Sequence, residues 1–116
     1  FFEYIKLIGT CSHVIMNHSR QQASGNINAM LFMGASVFLN ESNCYYEHYK
    51  NKGVNIFSIN ELKNNPLLLD KRLSESEINQ NRQIMKNVMC WETAIEKTKK
   101  LIYKVLNDKL SILRDI

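Results

Sequence analysis

Residues 13–40 decide the fold, and they read HVIMNHSRQQASGNINAMLFMGASVFLN. The segment His13–Asn17 is a short apolar run between polar neighbours, which predicts a buried β-strand. A polar stretch follows, and apolar residues then recur at spacings of three and four, which predicts a helix with one buried face. Gly34 is placed to end this helix as its C′ residue. The residues expected on the buried face are Ile27, Met30 and Leu31.

The same pattern then repeats along the chain. Ser36–Asn40 is a second strand candidate, Asn43 can cap a helix that stops at Gly53, and Val54–Ile59 is a third strand candidate. Alternation of strand and helix over so few residues implies parallel strands joined by right-handed crossovers. Strands with little polar alternation suit a sheet covered on both faces. The fold class is therefore α/β, a βαβαβ unit of the kind found in half of a doubly wound nucleotide-binding fold.

The segments that flank this unit have helical patterns. Residues 2–10 predict a short helix, and Pro66 interrupts the chain after the third strand. Beyond it, Ser74 and Glu77 have the spacing of a capping box. We expect a βαβαβ core over 11–62 and a helical segment over 66–116, together forming a single partial domain.

An apolar stripe continues through the helical segment. It forms one long helix or two segments broken near Cys90, and we interpret it as a face packed on the sheet or on a further domain, with Trp91 in the core. The stripe consists of Ile84, Val88, Trp91, Ile95, Thr98, Ile102 and Val105.

Length and composition limit the classes of protein that remain. The chain has 116 residues with 45% hydrophobic and 22% charged residues, which suits one folded domain and argues against disorder. No apolar run approaches the roughly 20 residues that cross a bilayer. The chain begins at Phe1 without a methionine or a signal-like segment, so we expect a cut inside a longer protein. Its three cysteines have no metal-ligand spacing, and we expect no metal site.

The net charge of +4 lies mainly in the helical segment. A basic helix attracts phosphate or anionic lipid, and this segment could dock on a membrane or on a partner lobe. The alternative is an ordinary solvated face in which Glu92 and Glu96 dilute the positive charge. No interleaving of basic and aromatic residues suggests a nucleic-acid partner. The lysines concerned are Lys97, Lys99, Lys100 and Lys104.

The polar stretch 17–26 lies where a parallel sheet binds its ligands, because it follows a strand and opens a helix. A helix N-terminus offers free N–H groups to a phosphate, and Arg20 could clamp a diphosphate. Gly25 permits close backbone approach. A polar βα loop without a ligand is the alternative. The residues that could hydrogen-bond a sugar or a base are Gln21, Gln22 and Asn26.

Two further residues have both a functional and a structural interpretation. Glu41 follows the second strand and could accept hydrogen bonds from a ribose diol, or it could simply favour the next helix dipole. His18 could transfer a proton, although a loop histidine without a partner carboxylate is more often structural. The chain has no GxGxxG, Walker loop, nucleophile elbow or metal-ligand cluster. Spacing therefore predicts a phosphate-competent βαβ unit and no specific reaction.

The run Met16–Ile27, followed by Met33–Glu41, resembles a known family, the TDP-N-acetylfucosamine:lipid II N-acetylfucosaminyltransferases, also called 4-α-L-fucosyltransferases. The similarity continues from Tyr46 to Leu62, whereas beyond Pro66 the chain matches only in being helical. Ser24 stands where the family has a larger apolar residue.

The resemblance implies the donor-side, C-terminal half of a GT-B glycosyltransferase, whose two Rossmann-like lobes face each other across a cleft. Such enzymes work without metal or cofactor and move an amino-deoxyhexose from a dTDP-sugar to a polyprenyl-diphosphate-linked saccharide, as in enterobacterial common antigen synthesis. The missing N-terminal lobe would be a partner and supply the catalytic base, so the fragment alone would be inactive. The expected location is cytoplasmic, peripheral on the bacterial inner membrane.

Position by position, the resemblance implies that the residues at the diphosphate are Arg20, Gly25 and Asn26. Those that would line the donor pocket are Asn17, His18, Gln21 and Gln22, and the residue at the nucleoside would be Glu41. A non-catalytic βαβ binding or interaction module remains the alternative.

Overall fold

A computed structural model describes residues 1–20 and 22–115. The chain divides into two compact units, residues 1–85 and 86–116. The helices and strands, in chain order, are α1 (Phe2–Gly9), β1 (His13–Met16), α2 (Ser24–Met33), β2 (Ser36–Leu39), α3 (Cys44–Asn51), β3 (Phe57–Ser58), α4 (Ile59–Asn64), a 3₁₀ helix (Pro66–Asp70), α5 (Glu75–Met89) and α6 (Trp91–Arg114).

The first unit is built on a three-stranded parallel sheet in the order β1-β2-β3. Strand β2 is central and wholly buried, and it pairs with β1 through Ile15↔Phe38 and with β3 through Phe38↔Phe57. The Phe38 and Phe57 rings stack 5.3 Å apart, which links β2 to β3 by their side chains. The α/β class and the parallel βαβαβ order predicted from the sequence are confirmed.

The two crossover helices are neighbours. Ile27 and Leu31 of α2 are buried, and so is Tyr49 of α3, whose hydroxyl donates a hydrogen bond to Asn28 Oδ1. Both helices end where the sequence predicted, since Gly34 and Gly53 follow them with φ of 96° and 82°. Such positive φ values favour glycine because a Cβ would be strained there.

Two predictions about the strands are only partly correct. The strand at His13–Asn17 exists, but it lies at an edge of the sheet and its Ile15 side chain is 53% exposed, so it is not a buried strand. The third strand is shorter than Val54–Ile59, because only Phe57 and Ser58 pair with β2. Ile59 instead begins α4, since the Ser58 hydroxyl and the Glu61 carboxylate form a capping box at that point.

The chain before β3 makes polar contacts with α5 that replace sheet pairing. The buried Asn81 side chain accepts a 2.8 Å hydrogen bond from the Asn55 N–H and donates one of 3.3 Å to the Asn55 carbonyl. Gln80 donates to the Gly53 carbonyl, and Arg82 donates to the Phe32 carbonyl at the end of α2. The bonds with Asn81 give partners to the partly buried N–H and carbonyl of Asn55, which make no sheet pairing.

The helical segment beyond Pro66 contains the two local features that its sequence predicted, a break at Pro66 and a capping box before the next helix. Pro66 opens a 3₁₀ helix, and Ser74 and Glu77 form the expected capping box before α5. The stripe is two helices, α5 and α6, which meet at Cys90. The interpretation of Trp91 as a core residue is wrong, because its side chain is 75% exposed and α6 contains no buried residue.

Among the described residues, no helix combines the length and the apolar character that a membrane-spanning segment requires.

Candidate functional site at the carboxyl ends of the strands

The polar loop between β1 and α2 lies at the carboxyl end of the sheet, and a buried asparagine of the next loop holds it. Asn43 is 1% exposed, and its Nδ2 donates hydrogen bonds of 3.1 Å to the His18 carbonyl and 3.4 Å to the Arg20 carbonyl. Its Oδ1 accepts the Tyr45 N–H and so caps α3. One side chain therefore starts α3 and positions the loop after β1.

A second contact joins the same two loops. Asn40 Nδ2 donates a 3.0 Å hydrogen bond to Asn17 Oδ1, while Asn40 Oδ1 accepts from the backbone N–H and the hydroxyl of Ser42. His18 contributes inside its own loop, since its Nε2 lies 3.3 Å from the Gln22 carbonyl. A hydrogen bond between side chains thus joins the carboxyl ends of β1 and β2, because Asn17 directly follows β1 and Asn40 directly follows β2.

The loop enters α2 through an uncommon backbone conformation. Ala23 has φ 59° and ψ 27°, and it is the non-glycine residue with positive φ within residues 1–20 and 22–115. Ala23, the N-cap residue of α2, makes no side-chain cap hydrogen bond. Strained residues persist where the surroundings impose them, and they cluster at binding sites. Ala23 in this conformation joins the polar loop to the first residue of α2.

The two residues expected to contact a diphosphate with Asn26 are accessible. Arg20 is exposed, and its guanidinium makes no hydrogen bond to the described residues. Gly25 is exposed as well, and a Cβ placed on it would meet nothing within 4 Å, so this fold itself does not require glycine there. Asn26 is different, because its Oδ1 accepts a 2.7 Å hydrogen bond from the Tyr4 hydroxyl of α1. One acceptor position of its amide oxygen is therefore occupied by the Tyr4 hydroxyl.

Glu41 lies on the other side of this edge, near a second acidic residue. Burial and the charge of Glu61, with a smaller contribution from Glu41, raise the pKa of Tyr46, while a hydrogen bond with the Ser58 hydroxyl lowers it. The Lys50 ammonium lies 5.8 Å from the Tyr46 ring centroid. The negative charges of Glu41 after β2 and Glu61 after β3 thus both act on the Tyr46 phenol, whereas the cationic Arg20 follows β1.

Sequence reasoning placed most of the candidate residues at one edge but missed what holds them there. Asn17, His18 and Arg20 are joined to the loop after β2, and Gln22 contacts His18. Gln21 lies outside the described residues. Asn40 and the second role of Asn43 were not predicted, because both act across 23 residues or more. An asparagine directly after each of two neighbouring parallel strands is the signal that could have indicated them.

Two clefts of about 210 and 240 Å³ lie near the opposite, amino end of the sheet, and they share Arg72 and Leu73. Neither cleft is lined by a residue of the loop 17–26. Within the part of the chain that the structure describes, no three His, Cys, Asp or Glu side chains come together as a metal ion would require.

Comparison of the chain with protein-family models, with curated proteins and with solved structures finds no match.

Proposed function

We propose that this chain binds a nucleoside-diphosphate sugar at the carboxyl edge of its sheet, as the donor-side half of a GT-B glycosyltransferase. The donor would be a dTDP-amino-deoxyhexose, and the acceptor a polyprenyl-diphosphate-linked saccharide. The observation that supports this most is the pair of hydrogen bonds from the Asn43 amide to the carbonyls of His18 and Arg20. These bonds hold the loop that carries Arg20, whose guanidinium makes no hydrogen bond to the described residues, just before the start of α2. The sequence resemblance supplies the choice of sugar and acceptor.

The distribution of charge along this edge suits such a donor in one orientation. A diphosphate has two features that Arg20 and the start of α2 complement, namely negative charge and acceptor oxygens. Sugar or ribose hydroxyls donate hydrogen bonds, and the Glu41 carboxylate accepts them. The diphosphate would therefore lie over β1, and the nucleoside would extend towards β2. His18 and Asn17 would line the pocket between the two.

The arrangement also suits the chemistry of donor cleavage. When the bond between the sugar and the diphosphate breaks, negative charge increases on the departing nucleoside diphosphate. Fixed N–H groups and a guanidinium that face this charge lower the energy of the transition state without a metal ion. Arg20 and the first N–H groups of α2 would have this role, and activation of the acceptor hydroxyl would fall to a base outside the site described above.

Calorimetric titration of the chain with dTDP tests the proposal. We expect Arg20→Ala to weaken binding roughly tenfold to a hundredfold, because a hydrogen bond to a charged group contributes about 1.5–3 kcal/mol. Lys52→Ala is the matched control, since Lys52 is an exposed cation at the end of α3, away from the loop. Thymidine should bind more weakly than dTDP if the diphosphate is what Arg20 recognises.

Three results would contradict the proposal. Equal dTDP affinity for the wild type and Arg20→Ala would remove Arg20 from the site. Equal weakening by Arg20→Ala and Lys52→Ala would show a general charge effect. No binding of dTDP at any accessible concentration would favour the alternative, a βαβ interaction module whose polar loop has no ligand.

A further inference from the structure

The large apolar side chains of helix α6, Trp91–Arg114, are exposed and lie mainly on one side of the helix, the apolar face. At about 100° per residue these side chains cover roughly half of the helix circumference, and all are at least 37% exposed. Thr98, Lys99 and Lys109 interrupt this face. The large apolar residues of α6 are Trp91, Ile95, Leu101, Ile102, Tyr103, Val105, Leu106, Leu110, Ile112 and Leu113.

The opposite side of α6 is basic. Lys97, Lys100 and Lys104 are spaced by three and four residues, so they share one side of the helix, which we call the lysine face. Lys99 lies within the apolar face, between Leu106 and Leu110 around the helix axis. No acidic residue occurs between Lys97 and Lys104, although Glu96 precedes the cluster and Asp108 follows it. All four lysines are exposed.

We propose that α6 binds an anionic lipid surface, with its apolar face inserted at the level of the headgroups. Apolar side chains opposite clustered lysines are the features that place a helix in the plane of a membrane interface, and clustered lysines complement the charge of anionic headgroups. Lys99 can extend its ammonium to the headgroups while its methylenes lie along the apolar face. This inference is independent of the proposed sugar-nucleotide site.

A second copy of the chain is the competing occupant, and the width of the apolar face argues against it. A two-stranded coiled coil buries a narrow seam at two positions of each heptad. On α6 the apolar residues extend well beyond such a seam, and the seam that starts at Trp91 would place Thr98 and Lys109 inside the interface. A lipid surface tolerates both features, because a flat interface accepts a wide face.

Fluorescence of the single tryptophan tests this directly on the unmodified chain. Trp91 is exposed, so we expect water-like emission in buffer and a blue shift with vesicles of phosphatidylcholine that contain one third phosphatidylglycerol. The shift should be much smaller with pure phosphatidylcholine, and rising salt from about 50 to 500 mM should reverse it, because salt screens the lysines. An equal shift with both kinds of vesicle, or none with either, would overturn the proposal.

Two triple variants distinguish a specific effect of the lysine face from a general effect of positive charge on vesicle binding. Replacing Lys97, Lys100 and Lys104 together by Gln should weaken binding to the anionic vesicles by about a hundredfold. The control replaces three exposed lysines of the first unit, Lys6, Lys52 and Lys63, by Gln, and it should leave binding within about threefold. Equal losses in the two triple variants would overturn the proposal.

Sedimentation tests whether a second copy of the chain occupies the apolar face instead of lipid. A monomer in solution that pellets with anionic vesicles supports lipid binding. A dimer that Ile102→Asp dissociates, together with no blue shift of Trp91 on vesicles, would overturn the proposal and assign the apolar face to a second copy. Circular dichroism of each variant checks that α6 remains helical, so that a lost signal is not simply lost structure.

Discussion

The side-chain amide of Asn43 donates a 3.1 Å hydrogen bond to the backbone carbonyl of His18, 25 residues earlier in the chain. The same amide reaches the Arg20 carbonyl, and its oxygen caps α3. One buried side chain therefore couples the start of a helix to the conformation of the loop that holds the candidate arginine. Substitution at Asn43 can therefore have two effects, namely loss of the cap on α3 and loss of the bonds that hold the loop, and two different substitutions distinguish them.

Asn43→Ala should lower the free energy of unfolding by about 2–4 kcal/mol, because it removes a cap and leaves the His18 and Arg20 carbonyls without their donor. Asn43→Asp keeps the cap oxygen but turns a carboxylate oxygen towards these two carbonyls in place of the donating amide, so α3 should persist while the loop opens. Hydrogen exchange should then accelerate over residues 18–24 and not over α3. Asn79→Asp is the control, since Asn79 is exposed on α5. Unchanged exchange in the loop of Asn43→Asp would contradict the coupling.

Ala23→Gly should stabilise the protein by about 0.5–1 kcal/mol, because Ala23 adopts the left-handed conformation that costs a side chain energy. Ala29→Gly, in the middle of α2, should instead destabilise it by about the same amount, since a helical glycine only adds entropy to the unfolded chain. Urea denaturation of both variants measures the two changes. Loss of stability in both would show that Ala23 does not occupy the left-handed region.

The two capping boxes of the chain should differ in strength. Ser58 is fully buried, and its hydroxyl accepts the Glu61 N–H at 3.0 Å, whereas Ser74 is exposed and accepts the Glu77 N–H at 3.2 Å. Ser58→Ala should cost about 2 kcal/mol, and Ser74→Ala nearer 0.5 kcal/mol, because water can replace a cap only at the exposed site. Thermal unfolding of the two variants gives the comparison, and a larger loss for Ser74→Ala would reverse the assignment.

Stability should fall at high pH through Tyr49. Burial, and to a lesser extent the neighbouring Tyr45 and Cys44, raise the pKa of Tyr49 to about 12, compared with about 10 for an unfolded tyrosine. The folded protein therefore holds this proton more tightly. Its contribution to stability is complete below pH 10 and is lost as the pH rises through 12.

Denaturation of the wild type and Tyr49→Phe across this range measures the effect. The variant lacks the hydroxyl that donates to Asn28, so it should be less stable at neutral pH and should lose less stability between pH 10 and 12. Tyr103→Phe is the control, since Tyr103 is exposed on α6. Parallel stability curves for the wild type and Tyr49→Phe would contradict the raised pKa.

Local patterns predicted the features of the fold that depend on neighbouring residues. Apolar runs located β1 and β2, Gly34 and Gly53 marked the ends of two helices, and Asn43 was recognised as a cap. The third strand was predicted too long because Val54 and Ile56 are apolar and buried like strand residues. Asn55 between them bonds to the Asn81 side chain of α5, and no local pattern indicates a contact across 26 residues.

Local sequence patterns specify the order of the elements and the position of the polar loop after β1, because apolar spacing, caps and glycines act within a few residues. The tertiary structure alone decided how the loop is held, since Asn40 and Asn43 become its neighbours only when β1 and β2 pair. It also decided that Ile15 lies at an exposed edge and that Trp91 is not a core residue. An apolar period indicates which face of a helix avoids water, but only the folded chain shows whether anything covers it.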